Sequence, residues 1–151
     1  MKTKSLYNPN DLREILSRIE KISVDSHRHW GKMDAAQMLR HCYLGIQSAL
    51  GEIKVKRVFI SYLVGPLAKK YFLTGKPFQK NSPTGKELVV VTSEDLEIEK
   101  KKLIEKCQQF HQLGEAGATE IPHGFFGKLT ADEWASLQYT HLDHHLRQFS
   151  N

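Results

Sequence analysis

Three of the chain's eight histidines, His141, His144 and His145, fall within a turn and a half of LTADEWASLQYTHLDHHLRQF, Leu129 to Phe149. If that stretch is helical, each residue advances about 100°. Trp134, Leu137, Gln138, His141, Leu142, His145 and Phe149 then share one face. His141 and His145 stand one turn apart near its middle, and His144 falls at its edge beside Glu133 and Thr140. Two imidazoles at this spacing can close on one metal ion from the same helix. The competing reading is a pair of core histidines bonded to backbone or water. Two stacked rings on an otherwise apolar face favour ligation. Zincin proteases place a glutamate beside the first histidine of such a pair; Leu142 stands there, which argues against that chemistry.

The elements that would hold these residues are legible from caps and periodicity. Thr130 and Glu133 make a capping box for the last helix, with Leu129 and Trp134 as a hydrophobic staple. A first helix is expected from Pro9 to about Ile22, capped by Asn8, with Leu12, Ile15, Leu16 and Ile19 at helical spacing. A second begins at Asp34, with Gln37 reaching back and Met33 and Met38 as staple. Its buried stripe is Ala35, Met38, Leu39, Cys42, Ile46 and Ala49, and Gly51 ends it. His41 lies on the flank of that stripe, in a row with Asp34, Gln37, Gly45 and Ser48. Periodicity there permits either a surface histidine or one lining a polar cleft.

Val55 to Leu73 is apolar and expected to be helical, broken or kinked at Gly65-Pro66. Thr74 to Gly85 reads as a loop and Leu88 to Val91 as a short extended run. Ser93 is expected to cap a further helix, with Glu94 and Asp95 in its first turn, an inner stripe of Leu96, Leu103, Cys107 and Phe110, and Gly114 and Gly117 at its end. Spare candidate ligands are the loop pair His27 and His29, His111 one turn after Cys107, and His123. Each reads more readily as an ordinary polar or core-rim histidine. Long helices with little strand signal predict an all-α bundle.

The composition sets outer bounds. The chain has 151 residues, 40% hydrophobic and 26% charged, which suits one globular domain over residues 1–151. No apolar run approaches the ~20 residues that span a bilayer, so no membrane partner is expected. MKTKSLYNPNDLREIL lacks an apolar export core, and Cys42 and Cys107 are too few for a disulfide framework, so a cytoplasmic location is expected. The net charge of +5 is uneven: Ile53 to Gly85 holds no acidic residue but carries Lys54, Lys56, Arg57, Lys69, Lys70, Lys76 and Lys80. Such a run is commonly a solvated face. Read functionally, it attracts an anion: a small acidic molecule, a nucleic acid or a lipid surface. Without a reading helix or aromatic platform, nucleic acid is not the expected partner.

Two stretches, WGKMDAAQMLRHC (Trp30 to Cys42) and HGFFGKLTADEWASLQYTHLDHHLRQF (His123 to Phe149), resemble the DinB/YfiT-like superfamily, whose members are regarded as metalloenzymes. They are most similar to an uncharacterised DinB-like subfamily that ends in the form HLDHHLRQF. The resemblance implies an antiparallel up-down-down-up four-helix bundle. It also implies a metal held by three histidines, one from the second helix and two from the last. Carried over by position these are His41, His141 and His145. The subfamily usually shows His-Pro before its Phe-Phe-Gly turn, where this chain has His123-Gly124, so the resemblance does not define that loop's shape. Homodimers are frequent among such relatives.

Three neutral imidazoles would leave a divalent ion's charge uncompensated and coordination positions open. Zinc so held can lower the pKa of a bound water to about 7 and strip the proton from a thiol. Zinc and nickel, and also iron(II), accept imidazole. Gln148, a turn beyond His145, is a candidate second layer behind the ligands, and His144 could orient a ligand or shuttle a proton. Members of the superfamily include transferases that use a low-molecular-weight thiol and a maleylpyruvate isomerase. The resemblance therefore implies a metal-dependent enzyme that activates a thiol, or water, against a small electrophile, with the basic segment steering an anionic thiol or substrate. The alternative is a metal- or ligand-binding stress protein without catalysis.

Overall fold

The computed structural model describes residues 3–74, 76–93 and 95–149. Those residues form five α-helices: α1 (Pro9–Glu20), α2 (Ala35–Ala49), α3 (Phe59–Phe72), α4 (Leu96–Leu113) and α5 (Ala131–Gln148), with short 3₁₀ turns at Lys86–Leu88 and Gly114–Gly117. Among them there is no strand, only an isolated antiparallel bridge between His123 and Gly127. The chain is all-α, as the periodicity predicts.

Local chemistry explains the helix starts. The Asn8 side chain accepts from the amides of Asn10 and Asp11, and Pro9 contributes no amide that needs a partner. Asp34 with Gln37, and Thr130 with Glu133, form complete capping boxes at α2 and α5. The fourth start differs from expectation: Asp95, not Ser93, caps α4 through the Glu97 amide, and Glu94 lies outside the described residues. A carboxylate two residues nearer the apolar stripe serves as well as the hydroxyl and shortens the helix.

Side-chain pairs fix the helix directions. The Tyr139 hydroxyl donates to Glu14 and Arg18 pairs with Asp143, so α1 and α5 run the same way. His41 lies against His141 and His145, and Gly45, one turn on, against Gln138 and His141, so α2 opposes α5. Tyr7, just before α1, stacks on Phe110 and donates to the Gly114 carbonyl at the end of α4, so α1 opposes α4. Both α1 and α2 pack against both α4 and α5. Between them lie Ile15, Ile19, Met38, Leu39, Ile46, Leu103, Phe110, Trp134, Leu142 and Leu146, all buried. At roughly 1.5–3 kcal/mol per large apolar side chain, this shared core is what holds the four helices. Cys42 and Cys107 are buried within it as free thiols, and burial pushes the Cys107 thiol up to about 12. They are inert packing groups.

Two expectations are corrected. Val55 to Val58 is not helical, and α3 runs unbroken through Pro66. Proline deprives the Tyr62 carbonyl of its helical donor, but Tyr62 and Pro66 are both exposed, so water can take that place. Leu88 to Val91, read as a short extended run, pairs with no strand among the described residues. Its carbonyls instead serve α2: Leu88 accepts from His41 and Val91 from the Gln37 side chain.

Candidate metal centre

The side chains of His41, His141 and His145 converge. Each offers a ring nitrogen such that all three nitrogens lie within 4.8 Å of one another. His41 comes from α2, the other two from successive turns of α5. The Nε2 atoms of His41 and His141 are 2.9 Å apart. Nitrogens bound at 2.0–2.1 Å around a tetrahedral ion sit roughly 3.3 Å apart, so the His41–His141 pair is already near that spacing, and binding would draw the group, now within 4.8 Å, together.

The ambiguous flank position of His41 is resolved as burial: the residue is only 4% exposed. The ring that faces it, His141, is admitted by Gly45, one turn along α2 from His41. A Cβ there would stand 2.9 Å from Nδ1 of His141 and 3.2 Å from the Gln138 side-chain oxygen. Glycine inside a helix costs about 1 kcal/mol relative to alanine, and here the missing side chain makes room for a ligand ring.

Hydrogen bonds orient two of the three rings. Nδ1 of His41 is 2.8 Å from the Leu88 carbonyl oxygen, which can only accept, so Nδ1 carries the proton and Nε2 faces the group with its lone pair. Nδ1 of His145 is 3.0 Å from Oε1 of Gln148 and is held in the same way. Gln148 in turn donates through Nε2 to the Trp30 carbonyl, fastening the end of α5 to the loop before α2. Gln138, behind His141, has a buried side-chain oxygen with no hydrogen-bond partner, an acceptor available to that ring's far nitrogen.

Electrostatics favour the ligating form. Burial pushes the His145 imidazole down to about 3, and the nearby His41 adds to the shift while the Gln148 bond opposes it. Burial also lowers His41, against the Leu88 bond, and drives His141 well below the usual range, helped by the other histidines around it. Three clustered, poorly solvated imidazoles resist protonation because each charge would face the others. Neutral imidazole is the form that binds metal.

The remaining histidines do not join the group. His144 sits beside it, edge-on to His145, Trp30 and Phe78. His111 bonds the Leu6 carbonyl. His27 and His29 meet each other edge-on in the loop before α2. His123 serves its own loop: Nδ1 accepts the amides of Phe125 and Phe126, the ring packs on Phe126 and Trp134, and burial lowers it to about 4. Gly45 and the Leu88 carbonyl were not singled out from the sequence. A helix-interior glycine in the row of His41 was the available signal for the first; a main-chain carbonyl gives none for the second.

The chain thus holds a group of three histidines able to bind a metal ion. In comparisons with known proteins, the model of a family described as Protein of unknown function (DUF1569) matches residues 1–151. No curated protein and no solved structure matches the chain.

Proposed function

The chain belongs to the DUF1569 family over its whole length, and because that membership brings no activity with it, we propose from the geometry that it is a divalent-metal-dependent enzyme. It would activate a low-molecular-weight thiol, or water, against a small electrophile. The observation that carries this reading is the convergence of His41, His141 and His145 from two helices, with the outer nitrogens of His41 and His145 already tied to acceptors. A divalent ion bound by three neutral ligands supplies Lewis acidity at positions the protein leaves open. Zinc and nickel fit the all-imidazole donor set, as does iron(II).

The DinB-like four-helix bundle belongs to the same proposal. Its support is the directional pattern of α1, α2, α4 and α5 and the origin of the ligands on the second and last of them. The surroundings of His144 favour an anionic, partly flat substrate. Trp30 and Phe78 flank that ring, and the Lys80 ammonium lies 4.3 Å from the Trp30 ring centre. Burial lowers His144 itself, which favours its uncharged form beside the site.

The test is turnover. Protein purified without nickel resin and loaded with zinc, nickel or iron(II) is screened with several thiols against activated halides, epoxides and esters. Activity abolished by chelation and restored by one metal is the expected result. A fully metal-loaded protein that is silent across the panel would instead indicate metal binding without catalysis.

A further inference from the structure

Helix α3 is built inside out. Its inward positions are the small or engaged ones: Ser61 and Gly65 are buried, Lys69 donates to the Lys128 carbonyl and pairs with Glu133, and only Phe72 adds a large apolar group, stacked on Phe78 and Phe126. Gly65 lies so close to the Phe125 carbonyl that no side chain would fit between them. The outward positions are large and apolar: Phe59 is 82% exposed and Leu67 70%, with Ile60, Tyr62, Leu63 and Tyr71 each at least half exposed. At 100° per residue they span an arc of roughly 180° in which Lys70 is the one charged residue. An outward apolar face of this size marks an interaction surface rather than ordinary surface scatter.

The charge around the patch selects the partner. The guanidinium of Arg57 lies 3.9 Å from the Tyr62 ring centre at one end, and the Lys76 ammonium 5.0 Å from the Tyr71 ring at the other. Lys54, Lys56 and Lys70 are exposed nearby, and Ile53 to Gly85 contributes no carboxylate. Of the nearby acids, Glu133 is paired with Lys69, and Glu87 accepts from the Lys56 amide. A second copy docking two-fold on this face would set these cations against themselves. Nucleic acid would satisfy the cations but not the apolar face. A surface that is anionic outside and apolar just beneath satisfies both. Tyrosines paired with cations at each end suit the boundary between headgroups and chains.

We propose that α3 docks the protein on anionic lipid bilayers. With 14 residues the helix is about 21 Å long, short of a ~30 Å hydrocarbon core, and no helix among the described residues is long and apolar enough to cross a membrane. The helix would lie in the interface plane, which departs from the expectation of no membrane partner, since that expectation was drawn from the absence of a spanning run. The docking is independent of the metal centre.

The experiment is co-sedimentation of the full chain with vesicles of phosphatidylcholine alone and with phosphatidylserine added. Retention by the anionic vesicles at low salt, at least tenfold above the neutral ones and released by salt, is expected. Replacing Leu63→Glu and Leu67→Glu together should abolish it with the thermal melt unchanged, since both side chains are exposed. Lys70→Gln with Lys76→Gln should weaken it roughly thirtyfold, at about 1 kcal/mol per cation. No retention, or equal retention by neutral vesicles, overturns the proposal. So does a self-associating protein that the Leu63/Leu67 variant turns monomeric while vesicles never retain it, which would assign the face to a second copy.

Discussion

His41 and His141 bring their Nε2 atoms to 2.9 Å across the boundary between α2 and α5, although 100 residues separate them in the chain. At that distance one neutral ring can donate to the other, and a divalent cation would take the place of that proton. His41→Ala or His145→Ala is therefore expected to end stoichiometric zinc binding in titration calorimetry. His111→Ala, whose ring bonds the Leu6 carbonyl instead, should leave it intact. A full metal complement in both site variants would place the cation elsewhere.

Gln148 acts one layer behind the site. It accepts from Nδ1 of His145 and donates to the Trp30 carbonyl, so it fixes both a tautomer and the position of a loop. Gln148→Leu keeps the bulk and removes both bonds. Metal affinity should fall about 10–100-fold while saturation still reaches one ion per chain. An unchanged dissociation constant would mean that packing alone orients the ring.

Gly45 separates helix propensity from function. In an exposed helix interior, glycine to alanine stabilises by up to about 1 kcal/mol. Here the new Cβ would press on His141, 2.9 Å from Nδ1 and 3.0 Å from Cε1. Gly45→Ala is expected to weaken zinc binding by an order of magnitude or more without lowering the helical content seen by circular dichroism. Unaltered affinity would show that the ring can move aside freely.

The sequence made the helices legible because their signals are local. The capping boxes at Asp34 and Thr130, Pro9 after Asn8, and the stripes of α2, α4 and α5 need only near neighbours to be read. His141 and His145 were legible for the same reason, being four residues apart on one helix. His41 was not, because its flank angle becomes a buried position only once α5 and the Leu88 segment cover it. Its assignment beside the other two came from the family resemblance rather than from periodicity. Helix α3 shows the opposite failure. Its apolar run suggested a helix broken or kinked at Gly65-Pro66 but not which side turns inward; the small residues do and the large ones do not, a choice that depends on what the Phe125 loop leaves room for.

Acid provides the last test. In the folded protein His145 titrates at about 3 and His123 at about 4, both pushed down by burial, against 6.5 for the free side chain. The unfolded chain therefore binds more protons between these values, and stability is full above pH 6.5 and lost as pH falls towards 3. By pH 5 each of these two histidines should have cost the metal-free protein at most about 2 kcal/mol, visible as a lower urea midpoint than at pH 7. The folded site responds differently, because burial lowers all three of its rings. Zinc should stay bound at pH 5.5, where an unstructured peptide carrying three histidines would already be releasing it. Release from the native protein with a midpoint near 6.5 would mean that the imidazoles are solvated and the enclosed triad does not exist in solution.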